Sequence, residues 1–140
     1  MELVQTLYEF YSTRAAWEVF DEVHEVLRTL QDEGVPMGVV SNFDERLEGI
    51  LETLDLRGYF DFVLTSWDHG SPKPAASIFH AAAALHGVAE KAAMVHVGDD
   101  ETNDVAGPVA AGYTGRLLSR KLGGSLATLL LKDQMPGWHK

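Results

Sequence analysis

Val95-His96-Val97-Gly98-Asp99-Asp100-Glu101-Thr102-Asn103-Asp104 is the stretch that decides how this chain reads. A short apolar run ends in glycine, and four carboxylates follow within six residues. Helix formers come next. Pro108 places the helix start near Asp104 to Gly107, because proline is best tolerated in a first turn. The pattern is a buried strand, a tight turn, an acid cluster and a helix. In open α/β sheets, ligands bind at the carboxyl ends of strands, and acids gathered there repel one another unless a cation lies between them. Hard oxygen ligands suit Mg²⁺, which takes one or two carboxylates and keeps several waters. A second reading stands beside this one: the acids form a solvated loop, with Asp104 as the N-cap of the helix. An EF-hand fits less well than either, since the loop would put Asp104 or Val105 where glycine belongs and no glutamate closes it.

Outward from this stretch, helices and strands alternate. Val23, Val26, Leu27 and Leu30 form one apolar stripe of a helix that starts at Asp21 and stops at Gly34. Val35 to Val40 reads as a buried strand running into Ser41-Asn42, and Leu47, Ile50, Leu51 and Leu54 mark the next helix. A strand is expected around Phe62-Val63-Leu64, followed by a polar loop from Ser66 to Pro72. Lys73-Pro74 opens an alanine-rich helix with Ile78, Phe79, Ala82 and Leu85 on its apolar side, closed by Gly87. Ala92 to Val97, Tyr113 to Leu118 and Leu122 to Leu131 read as strand, strand and helix. At the start, Leu3 to Tyr11 has helical spacing, and Thr13 to Asp21 is a link or an early helix start. The tail from Lys132 reads as loose. Such alternation predicts an α/β fold with a parallel sheet covered on both faces.

Bulk properties narrow the function. The 140 residues suffice for one domain with a core, and 46% hydrophobic with 23% charged residues is globular. The net charge of −10 argues against nucleic acid or an anionic membrane as partner. A phosphorylated small molecule would then need a local cation. Without cysteine, disulfides, thiolate catalysis and iron–sulfur clusters are excluded, which fits an intracellular, cytoplasmic protein. No apolar run approaches membrane-spanning length, and the first residues lack a signal-peptide pattern. Neither a dinucleotide glycine fingerprint nor a P-loop is present.

Three strand ends are expected to share one site. Ser41 offers a hydroxyl to a phosphate oxygen, Lys73 a compact cation at a helix entrance, and Asp99 with Asp104 the ligands of a metal. Plainer roles exist for each: Ser41 and Asn42 as helix caps, Lys73 as a surface charge. The ordered set of hydroxyl, lysine and paired acids, each at a strand end, favours the joint site. His80 and His86 fall on different faces of one helix, His96 reads as a packed strand residue, and the three tryptophans show no basic interleaving.

Val39-Val40-Ser41-Asn42, Lys73-Pro74, and His96-Val97-Gly98-Asp99 with Asn103-Asp104 together resemble motifs II, III and IV of the haloacid dehalogenase-like (HAD) hydrolases. The resemblance runs from about Leu7 to Gly112. It implies a Rossmann-like core and Mg²⁺-dependent phosphoryl transfer. Ser41 and Lys73 would be catalytic, stabilising phosphate charge; Ser41, Asn42 and Lys73 would bind phosphate; Asp99 and Asp104 would position Mg²⁺. Residues 1–20 would be a remnant of a cap helix and linker, 21–131 the core and 132–140 a tail.

One part of that pattern is missing. The family's first motif, Asp-x-Asp-x-Thr/Val, whose first aspartate attacks phosphorus, occurs nowhere in the chain. Removing a nucleophile costs on the order of a million-fold in a well-studied protease, so the chain alone is expected to be inactive. By the family's strand order, the core would lack its first central strand. Two strand edges would then face a gap, to be closed up, left marginal, or filled by self-association or a partner strand. A non-catalytic binding or regulatory product using those edges is the alternative reading. A receiver-like signalling domain fits less well, because here the lysine precedes the acid cluster.

Overall fold

The computed structural model describes residues 12–120 and 124–130. The expected helix from Leu3 to Tyr11 and the tail from Lys132 lie outside those residues. After a 3₁₀ turn at Arg14–Ala16, the order is α1 (Val23–Asp32), β1 (Gly38–Ser41), α2 (Leu47–Thr53), β2 (Phe62–Thr65), α3 (Ser66–His69), α4 (Ala76–His86), β3 (Val95–Gly98), a π-helical turn (Glu101–Ala106) running into α5 (Gly107–Ala110), β4 (Thr114–Leu117) and α6 (Leu126–Leu130).

The helix stops follow from backbone chemistry. Gly34 takes a left-handed φ of 75°, and the Val35 N–H bonds back to the Leu30 carbonyl at 3.0 Å. Gly87 closes α4 in the same way, with Val88 N–H on Ala83 O at 2.9 Å. A residue with no Cβ reaches this conformation without steric cost and satisfies carbonyls the helix leaves open. The expected α1 stripe is the buried one: Val26, Leu27 and Leu30 are all inside. On α4 the stripe is shifted. Ala83 packs against Ala111 and Tyr113, while Leu85 is 57% exposed.

Strands pair in parallel, β1 with β2 and β3 with β4. In the first pair Val39 lies opposite Val63 and Val40 opposite Leu64. Successive side chains point to opposite faces. Val39 and Val63 pack on the cluster of Leu27, Ile50, Leu51, Leu54 and Leu56; Val40 and Leu64 pack on that of Ile78, Phe79, Ala83, Ala111 and Tyr113. Helices therefore cover both faces, as the alternation implied.

The sheet is split. Among the described residues each strand has one hydrogen-bonded neighbour, so β1 and β3 end two separate two-stranded sheets. Between them lies a cleft of about 1260 Å³, walled by α1, α4 and both strands. Among the described residues the two strands have not closed up against each other.

Two local expectations are corrected. The Ser66–Pro72 stretch is not a plain loop, because it begins with the single turn α3. The Thr65 hydroxyl caps that turn by accepting from Asp68 N–H at 3.1 Å. The helix after the acid cluster starts at Glu101 rather than near Asp104 to Gly107, and its cap is Asp100, whose Oδ1 accepts the Asn103 N–H at 2.8 Å. The wide first turn moves Pro108 into the α part and turns Asp104 inward.

Candidate functional site

The three strand ends converge. Just beyond β1, the Asn42 side chain grips the Lys73 backbone: its Oδ1 accepts the Lys73 N–H at 2.7 Å, and its Nδ2 donates to the Lys73 carbonyl at 3.1 Å. This two-point clamp uses both ends of one amide. The Lys73–Pro74 peptide bond is cis. Held there, the Lys73 ammonium donates to Asp104 Oδ1 at 2.5 Å.

Asp104 is the buried centre of the cluster, 3% exposed. Its Oδ1 also accepts from His96 Nε2 at 2.8 Å, and its Oδ2 accepts the Asp100 N–H at 3.0 Å. Burial pushes this carboxyl's pKa up, but the hydrogen bonds from His96, Lys73 and the Asp100 amide outweigh it and hold it well below the usual carboxylate range. The Lys73 and Asp104 side chains are only 11% and 5% exposed, so this pair is desolvated.

Gly98 makes the arrangement possible. A Cβ at that position would fall inside the Asp104 carboxyl group. The close approach of strand end to carboxylate therefore requires glycine. Gly98→Ala is expected to cost about 1–3 kcal/mol by overpacking, read as a lower urea midpoint with an unchanged slope. An unchanged midpoint would mean that Asp104 is not seated against the strand.

The remaining residues lie at the rim. Ser41 ends β1 opposite Thr65 and is half-buried. Asp99 and Asp100 are exposed. On the far side of Asn42 is a shallow cleft of about 460 Å³, bordered by Phe43, Ser66, Pro72 and Trp67, the last 68% exposed.

Sequence reasoning named Ser41, Asn42, Lys73, Asp99 and Asp104 and read His96 only as packed. The structure links Asn42, Lys73 and Asp104 in one hydrogen-bonded chain and leaves Asp99 out of it. His96 does pack, edge-on to Phe79 at 5.3 Å between ring centroids, yet it also binds Asp104. The available signal was its spacing: His96 and Gly98 are two apart on a strand and share one face.

The donor set does not by itself fit a magnesium ion. Both Asp104 oxygens already accept hydrogen bonds, one of them from an ammonium. Among the described residues, no group of three or more histidine, aspartate or glutamate side chains could hold a metal. No described helix is long and apolar enough to cross a membrane.

Comparison with known proteins agrees with this geometry. The profile of a family described as haloacid dehalogenase-like hydrolase matches residues 2–112. The human haloacid dehalogenase-like hydrolase domain-containing protein 3 is 39% identical over 98% of this chain, which covers 53% of that protein. The chain thus spans about half the length of such curated relatives. The crystal structure of a HAD phosphatase from Thermococcus onnurineus superposes with a TM-score of 0.71 at 31% identity, over 74% of this chain and 47% of that one. The HAD-hydrolase YfnB of Bacillus subtilis, described as bound to magnesium, shares the fold, with a TM-score of 0.64 at 22% identity over 69% of this chain and 43% of that one. A buried lysine–aspartate pair at the carboxyl ends of parallel strands, a match over most of the chain and a shared core lead to one assignment: this chain belongs to the haloacid dehalogenase-like hydrolase family.

Proposed function

We propose that this chain carries the phosphate-anchoring and acidic half of a HAD-type phosphoryl-transfer site and is not catalytically competent by itself. The observation that carries the reading is the chain of contacts from Asn42 through Lys73 to Asp104, which gathers the ends of β1 and β3 at one place. Asn42 fixes where the lysine backbone lies. Lys73 presents a compact cation to a phosphate oxygen, and Ser41 offers a hydroxyl beside it. Asp104, held ionised, keeps the lysine extended toward the strand ends, and His96 keeps Asp104 in place.

Charge explains why this half is insufficient. Asp104 neutralises Lys73, while Asp99, Asp100 and Glu101 add negative charge nearby. A phosphate dianion would meet net repulsion here unless a cation intervened. Magnesium is the family's counter-charge. Asp99 and Asp104 would be its ligands only after further oxygen donors joined them and the Asp104 hydrogen bonds rearranged. No Asp-x-Asp occurs among the 140 residues, so no described aspartate stands where the family's nucleophile would.

The test is hydrolysis of p-nitrophenyl phosphate by the purified chain with magnesium, beside an Asp99→Ala control. The expected result is no turnover above that control. Activity lost in Asp99→Ala would overturn the reading and require another residue in this chain to attack phosphorus.

A further inference from the structure

We propose that Trp67 is a specificity-determining residue of this site: its indole is a platform on which a flat aromatic ring, carried by the alcohol part of a phosphate monoester, stacks. The inference rests on the phosphate-site reading and names the class of ester that the site takes.

Strand register puts the platform beside the phosphate position. Ser41 ends β1 directly opposite Thr65, the last residue of β2. Adjacent strands lie about 4.8 Å apart. Trp67 follows Thr65 by two residues, as the second residue of α3. Asn42, whose amide holds the Lys73 backbone, and Pro72, which precedes Lys73, border the same cleft as Trp67. A group attached to a phosphate at Ser41 and Lys73 therefore has this cleft next to it. Its volume of about 460 Å³ lies within the range of about 300–1000 Å³ usual for small-molecule sites.

The platform is held in place without a ligand. Thr65 Oγ1 accepts the Asp68 N–H at 3.1 Å and fixes the turn that carries Trp67. The Trp67 N–H and the Ser66 hydroxyl both donate to the Phe43 carbonyl at 3.4 Å, which ties that turn to the loop after β1. Trp17 braces Phe43 from another side, edge-on with ring centroids 5.9 Å apart. On this support the Trp67 side chain stands out, 68% exposed. A side chain so exposed contributes little to the core, and a preorganised one binds without a large ordering cost.

Charge selects a neutral ring. Aromatic faces attract flat rings and also cations. Asp44, the carboxylate that borders the cleft, is spent on Arg46 through a salt bridge of 2.6 Å, so it offers no free counter-charge to a cationic group. The Arg46 guanidinium already sits 5.7 Å from the Phe43 ring centre. An alkyl group of similar size would gain burial but not the stacking between rings.

The test follows indole and amide resonances of the full chain, with magnesium present, during titration with phenyl phosphate, cyclohexyl phosphate, inorganic phosphate and phenol. Parent and Trp67→Leu are compared. The expected result is that all three phosphates shift the amides of Ser41 and Lys73. Phenyl phosphate also shifts the Trp67 indole N–H and binds about fivefold tighter than cyclohexyl phosphate, while phenol binds far more weakly than its phosphate. In Trp67→Leu the preference for the aromatic ester falls below about twofold, and affinity for inorganic phosphate is unchanged. Equal affinity for the two esters, a preference that survives in Trp67→Leu, or phenol binding as tightly as its phosphate would overturn the inference and leave the phosphate site standing. No shift at Ser41 and Lys73 with any of the phosphates would overturn both.

Discussion

Replacing Asp104 with alanine is expected to lower the unfolding free energy by about 3–5 kcal/mol, the cost of leaving a buried charge unpaired. The reason lies in what remains. Lys73 keeps its ammonium at a site where its side chain is 11% exposed, and His96 and the Asp100 N–H lose their acceptor. Lost Coulomb attraction is the smaller part; the stranded desolvated groups dominate. Adding Lys73→Met to an Asp104→Leu background should therefore recover a large share of the loss, because an apolar pair of similar volume leaves no orphaned charge. Urea unfolding of the four proteins checks this. A single-variant loss under about 1 kcal/mol would place the pair in the regime of solvent-exposed ion pairs.

The same carboxyl sets a pH dependence. Its pKa in the folded chain is below that of the unfolded chain. Its stabilisation is thus fully present above the unfolded value of about 4 and is lost as pH falls through the depressed folded value. The gap between the parent and Asp104→Ala should be constant at neutral pH and shrink only below about pH 4. A gap that narrows between pH 5 and 7 would point to a different group.

Phe79→Ala is the second large effect, expected at about 3–5 kcal/mol. Phe79 is fully buried, touches His96 edge-on and forms part of the wall of the inter-sheet cleft. In a closed core, neighbours relax into a truncation and recover some of the loss. Here one side already faces a cleft of about 1260 Å³, and β1 and β3 are not tied to each other. The new space joins the old. Against a domain stability of about 5–15 kcal/mol, such a loss makes the fold marginal, seen as lost near-ultraviolet dichroism and a non-cooperative melt. Trp67→Ala is the matched control: at 68% exposure it should change stability by no more than about 0.5 kcal/mol. Equal effects in the two variants would mean that the Phe79 wall contributes little.

Much of this was legible in the residues. Helical spacing in Val26, Leu27 and Leu30, the glycines at 34 and 87, and the short apolar runs at β1 to β3 are local signals, and local sterics enforce them. Lys73 and Asp104 were legible through their order along the chain, and the structure joins them across 31 residues. His96 was read as packed, as its edge-on contact with Phe79 bears out, but its bond to Asp104 was not legible, because a strand histidine looks the same whether it only packs or also binds. Only the tertiary path that folds Asp104 back beneath Gly98 decides between the two. Asn42 was read for phosphate, and its amide is occupied by the Lys73 backbone. The loop from Ser66 hid one helical turn because a four-residue helix carries too few positions to show a period.

By itself, the sequence determined the order of the strands and longer helices, the parallel α/β class, the family and the absence of an Asp-x-Asp motif, since each depends on residue identity or on spacing within one element. The tertiary structure alone decided that β1 and β3 stand apart around an apolar cleft, and that Asp104 is spent on Lys73 and His96. Those outcomes turn on which backbone edges find partners and which buried charges find counter-charges. Both are settled by contacts between residues distant in the chain, for which a local pattern carries no signal.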